Sequence, residues 1–162
     1  MEHMTLWVEA LLVAAQTGWL ALGAIENVRV PRANRDMVAD VIAMRQLRAE
    51  FPDMFKLVGS HRIESPAFHR LAFAAIVIAE CIVAAVMAAG TLALIGAALG
   101  LLETETAKVI ATLGVLGFTM IWSAFLVGGQ WFHYFAGHQS AQHTHFLLAI
   151  WGTVVLCLLV GL

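Results

Sequence analysis

Four long stretches nearly free of charge limit what this chain can fold into. They run from Thr5 to Ile25, Leu71 to Leu102, Val109 to Phe132 and Phe146 to Leu162. The first is interrupted by Glu9 and Gln16, the second carries only Glu80, and the last two carry no charge. A helix crossing a bilayer needs about 20 apolar residues at ~1.5 Å each. The stretches do not alternate, and they exceed the roughly 9–11 residues of a barrel strand. Helices are then the elements that can satisfy their own backbone groups in hydrocarbon. The expectation is an all-α fold, a four-transmembrane-helix bundle forming one integral membrane domain over residues 1–162. Its spans fall at about 5–27, 66–92, 107–132 and 144–162. Composition agrees, with 61% hydrophobic and 12% charged residues. A soluble domain this small leaves too much surface in water to hide such a sequence.

The second stretch is too long for one crossing. It would reach about 48 Å as a helix, against a hydrocarbon core of about 30 Å. It is expected to tilt, or to end near Gly90 or Gly96. Residues 101–108 form a tight connection, with Thr104 or Thr106 as the cap of the next helix and Glu105 near its positive end. The first loop, from Asn27 to Phe68, is too long to be bare coil. Within it, Met37, Val41, Met44 and Leu47 recur at helical spacing. This predicts one amphipathic interfacial helix over Asn34–Glu50, stopped by Pro52. Ser65 followed by Pro66 suits the cap and first position of the second span.

Charge is segregated. Of nine Lys and Arg residues, Arg29, Arg32, Arg35, Arg45, Arg48, Lys56, Arg62 and Arg70 lie in or beside the first loop, leaving Lys108 elsewhere. The positive-inside rule places the first and third loops of this multi-pass protein in the cytoplasm, and the membrane expected is a bacterial inner membrane. The net charge of -2 suggests no nucleic-acid partner. The partners expected are the lipid bilayer and other membrane protein subunits. Cys81 and Cys157 sit inside apolar stretches without a CxxC pattern, so they read as small core residues. The first stretch lacks a basic leader and a small-residue cleavage site, and is kept as a mature helix.

Polar side chains at bilayer depth should face protein or water. The intramembrane polar set is Glu9, Gln16 and Glu80. A charged carboxylate there costs about 2.5–3.5 kcal/mol on insertion scales. Glu80 is either a proton or ligand site, or a side chain hydrogen-bonded to a neighbouring helix. The second reading is preferred, with Gln16 the expected partner. Glu9, Gln16, Gly23 and Asn27 form a polar and small stripe that should face the other helices. Gly114, Gly117, Thr119, Ser123, Gly128 and Gly129 read as a packing surface of the third span. Trp7, Trp122, Trp131 and Trp151 lie towards span ends, where interface anchoring is the ordinary role.

Histidines cluster in the third loop. His133, His138, His143 and His145 are candidate metal ligands, since neutral imidazole suits transition metals. For haem b, His69, His133 and His145 are the candidates at span ends. No HExxH or Cys/His zinc pattern accompanies them, and interfacial placement is the plainer reading. Ser140 near His138 and His143 is no catalytic pair on spacing alone, so no catalytic residue is assigned.

Two stretches carry a family resemblance. One is Phe51-Pro52-Asp53-Met54-Phe55, then Arg62-Ile63-Glu64-Ser65-Pro66-Ala67-Phe68-His69, then Glu80. The other is Gly128-Gly129-Gln130-Trp131-Phe132. They resemble a proteobacterial domain-of-unknown-function family of predicted small integral membrane proteins. The resemblance implies four spans and similar length, and marks Arg62, Ser65, Pro66, His69, Gly128, Gly129, Trp131 and Phe132 as shared. The family places an acid where this chain has Gln130. Its positive charge, at the N-terminus and second loop, implies the opposite orientation; the charge count of this chain is followed here.

With no catalytic pattern, the expected role is a non-catalytic accessory subunit or assembly factor of a respiratory or photosynthetic membrane complex. The alternatives are a haem- or metal-binding redox protein and a small transporter or channel centred on Glu80. For orientation, a membrane-impermeant maleimide should label Arg48→Cys in inverted vesicles and Glu105→Cys in intact cells. Labelling of Arg48→Cys from outside would reverse the assignment.

Overall fold

The structure, a computed structural model, describes residues 2–161, and these contain helices and no strands. Four helices are long and apolar enough to cross a membrane: α1 (Glu2–Arg29), α5 (Pro66–Ala98), α6 (Thr104–Trp131) and α7 (Gln139–Val160). Between the first two lie the short helices α2 (Arg32–Ile42), α3 (Arg45–Glu50) and α4 (Pro52–Val58).

Helix α5 does not stop at Gly90 or Gly96, as one sequence expectation had it, but runs 33 residues through both to Ala98. Its start follows the sequence: Ser65 accepts the Phe68 N–H at 3.3 Å, with Pro66 in the first turn. Its end is a Schellman turn. Leu101 N–H donates to the Gly96 carbonyl at 2.8 Å and Gly100 N–H to Ala97 at 2.9 Å, with Gly100 at φ 73°. Glycine takes that left-handed conformation without a Cβ clash. Glu103, rather than Thr104 or Thr106, stands at the N-cap position of α6, and its side chain makes no capping hydrogen bond. The Thr106 hydroxyl instead donates to the Glu103 carboxylate at 3.1 Å.

The long helices follow one another up and down. Helix α5 packs along α1 and α6, and α6 packs along α5 and α7, whereas α1 and α7 meet only briefly. Tails of lipid are as apolar as leucine, so close van der Waals packing must hold these helices together. Gly90 supplies it. A Cβ there would stand 2.6 Å from the Ala111 Cα and 3.0 Å from its nitrogen. A Cβ at Gly114 or Gly117 of α6 would stand 2.9 Å from the side chain of Met87 or Val83, respectively. Val13, Met87, Leu94, Val115 and Phe118 fill the interior, while Leu11, Leu22, Ile82, Leu92, Leu113, Val127 and Val154 point outward. That outward apolar surface is what a bilayer would cover.

Far from the first loop, Lys108 pairs with the buried Glu9 at 2.9 Å. Gln16 is fully buried, and neither atom of its amide has a partner among the described residues. It does not pair with Glu80, because their depths differ. Glu80 meets Asn27, which lies about 16 Å farther along α1 at ~1.5 Å per residue.

The single amphipathic helix expected over 34–50 is broken in two. Met44 takes φ 52°, in the left-handed region, and separates α2 from α3. An unbroken helix would hold Met44 and Leu47 on the Met37 stripe. The break turns them instead into a small second core with Ala136, Phe55, Val58, Phe132 and Phe135. Met37 stays about half exposed. Pro52 begins α4 rather than merely ending the helix before it.

Gly90→Ala should destabilise the bundle by about 1–3 kcal/mol, because the backbone of Ala111 cannot yield to an added methyl. Gly18→Ala, where a Cβ meets nothing within 4 Å, should be neutral or mildly stabilising. Thermal unfolding in detergent measures both. Equal effects would remove the close contact from the account.

Candidate functional site

The open α1–α7 side encloses a cavity of about 590 Å³ at the end nearest the first loop. That volume falls within the roughly 300–1,000 Å³ of small-molecule sites. Helix α2 forms part of its wall through Asn34, Met37, Val38, Val41 and Ile42.

On the α1–α5 side, three polar residues form a line. The Asn34 amide donates to the Asn27 carbonyl oxygen at 2.7 Å, and the Asn27 amide donates to Glu80 Oε2 at 2.7 Å. Asn27 and Glu80 are both 5% exposed. The line therefore runs from the loop helix to a carboxyl about four turns into α5. Each member satisfies the next, which is the condition for burying them at modest cost.

The α6–α7 side is aromatic. The His145 ring stacks at 5.6 Å on Trp122 and at 6.1 Å on Tyr134, and lies 4.9 Å from Phe125. Trp122 meets Phe118 edge-on at 5.7 Å. Gly129 makes room for the Tyr134 ring, which lies directly over the position its Cβ would take. Trp122 Nε1, the Tyr134 hydroxyl and His145 Nδ1 are all buried without a hydrogen-bond partner among the described residues, and all three residues line the cavity. Burial pushes the Tyr134 phenol above its ordinary pKa, so it stays a neutral O–H donor. Native proteins rarely leave buried polar atoms unpaired, and each instance needs a reason.

Trp122 is therefore not an interface anchor; it is 8% exposed, inside the bundle. Trp131 is exposed and stacks on His61 at 4.3 Å. The four histidines expected as metal ligands are dispersed. His138 contacts Asp40 at 3.3 Å, His133 lies 5.6 Å from His61, His145 is in the aromatic wall and His143 is exposed. Among the described residues no three His, Cys, Asp or Glu side chains gather to hold a metal ion. Of the histidines expected for haem, His133 lies beside His61, His145 is in the aromatic wall and His69 is in the turn before α5. His69 Nε2 is bonded to the Ile63 carbonyl at 2.7 Å, where it secures the turn before α5.

The residues of the family resemblance divide between two jobs. Phe55, Arg62, Ser65 and His69 build the turn between α4 and α5: Arg62 donates to the Gly59 carbonyl at 2.7 Å and lies 5.8 Å over the Phe55 ring. Glu80, Gly128, Gly129 and Phe132 line the cavity. Sequence reasoning placed Asn27 on a polar stripe but missed Asn34, seven residues further on, because the helix ends between them. It also missed Tyr134, whose burial depends on a tertiary contact.

The chain belongs to the family described as predicted small integral membrane protein (DUF2165), whose model matches residues 5–161. No curated protein and no solved structure matches it.

Asn27→Ala strips both neighbours of a partner and should destabilise the protein by about 1–3 kcal/mol. Tyr134→Phe removes a hydroxyl that bonds to nothing and should be neutral or slightly stabilising without ligand. Melting curves in detergent compare them. A Tyr134→Phe cost matching that of Asn27→Ala would mean the hydroxyl has a partner within the protein.

Proposed function

We propose that this member of the small integral membrane protein family binds an amphiphilic small molecule in the cavity between α1, α5, α6 and α7. The observation that carries the reading is that Trp122, Tyr134 and His145, each with a buried polar atom unpartnered among the described residues, line one cavity that also holds Glu80. An apolar body fits the aromatic and aliphatic walls. A hydrogen-bonding head would accept from Trp122 and Tyr134, while its own donor or cation would meet Glu80. Entry through the open α1–α7 side needs no passage through water. In this reading the membrane is a bacterial inner membrane, and the charge count supports a cytoplasmic end for the cavity.

Gly128 allows a direct test. It lines the cavity, and a Cβ there meets nothing within 4 Å. Gly128→Leu should fold normally while filling the ligand space. Organic extracts of wild-type protein should contain a bound amphiphile that is missing from Gly128→Leu. Adding it back should raise the wild-type Tm, as a ligand at about 100 Kd stabilises by ~2.7 kcal/mol, and leave the variant unmoved. Identical extracts from both proteins would sink the proposal.

The accessory-subunit reading rests on the same open side, where a helix of a partner subunit could lie between α1 and α7. Mild detergent extraction and native-gel mass discriminate: a lone monomer that still carries the amphiphile favours ligand binding alone.

A further inference from the structure

A second concavity lies on the opposite side of α2. It encloses about 310 Å³ between α2 and the first turn of α5, lined by Arg35, Asp36, Ala39, Pro66, His69 and Arg70. We infer that this pocket holds a phosphate group, gripped by the guanidinium groups of Arg35 and Arg70.

The two arginines come from different helices, so the fold brings them together rather than the local sequence. Among the described residues Arg70 has no hydrogen-bond or ion-pair partner. Arg35 contacts only its neighbour Asp36, at 3.2 Å, and the Asp36 side chain is 69% exposed. An ion pair so exposed contributes little and leaves Arg35 available. Asp36 is the one acid at the rim, and water screens its repulsion of an incoming anion. His69 closes the floor and is held by its bond to Ile63, so the pocket keeps its shape when empty. The positive end of the 33-residue α5 adds a favourable field. Guanidinium groups match phosphate oxygens with paired, charge-assisted hydrogen bonds.

The depth points to a source. Arg70 immediately precedes the apolar stretch that begins at Leu71, so its head group stands where phosphates of a bilayer lie. A phosphodiester of an anionic phospholipid and a free phosphate share the chemistry, and the test separates them.

The full chain is purified in detergent micelles containing phosphatidylcholine, then titrated with phosphatidylglycerol. Lipids retained are counted by native mass spectrometry. Inorganic phosphate is titrated separately and followed by 31P NMR. Arg35→Gln/Arg70→Gln is compared with Arg32→Gln/Arg45→Gln, which removes the same charge from the same loop. Wild type and the control pair should retain phosphatidylglycerol over phosphatidylcholine by about tenfold, the scale of one two-pronged charge-assisted contact. The pocket pair should lose that preference. Binding of inorganic phosphate with the same variant pattern and no lipid preference would support the site and assign it to free phosphate. Equal binding by wild type and the pocket pair, or equal loss in both pairs, would overturn it.

Discussion

The contact of α5 with α6 at Gly90 and Ala111 is the interaction on which the rest of the bundle depends. In hydrocarbon, apolar side chains gain little by leaving lipid for protein, so helices associate through close fit. The absence of a Cβ at Gly90 and Gly114 lets the two backbones approach, and Met87, Val115 and Phe118 interlock beside them. Helix α5 then acts as the shared wall. It carries α1 on one flank, and α6 carries α7 in turn. Because α1 and α7 do not close on each other along their length, the bundle keeps an open side.

That opening explains why polar groups gather where they do. A bundle closed all round would have to satisfy Trp122, Tyr134 and His145 internally or exclude them. Here the residues that carry the unpaired atoms border a cavity, and the cost of leaving those atoms unmatched is one that a bound head group would remove. Glu80 is handled differently. Asn27 and Asn34 satisfy it from within, which links the carboxyl to the loop helix α2. The bond uses one carboxylate oxygen, Oε2, and the link from Glu80 to α2 runs through Asn27. The same short helix also borders the arginine pocket on its other side.

The first loop is built as a small domain-like cap. Met44 and Leu47 anchor it on Phe132, Phe135 and Ala136, and the guanidinium groups of Arg48 and Arg62 both lie over the Phe55 ring. Arg62, Ser65 and His69, part of the family resemblance, hold the turn into α5. Their work is to set where α5 begins, and thereby the height of Glu80 in the bundle.

The number and type of the long helices were legible in the sequence alone. Uninterrupted apolar stretches of that length have one outcome in a bilayer, where each helix satisfies its own backbone. The start of α5 was equally legible, because capping by Ser65 and Pro66 is a local matter. Glu80 stood out for the same reason: one acid in a long apolar run needs a partner. Which partner was a tertiary question. The choice of Asn27 over Gln16 depends on how far α1 and α5 slide past each other, and composition carries no trace of that offset. The break at Met44 was hidden too, since the spacing fits one helix and only the second core rewards bending it. The cavity was least legible of all. It is the space left where α1 and α7 fail to meet, lined by residues from five helices and a turn, and only the packing of the whole chain decides it.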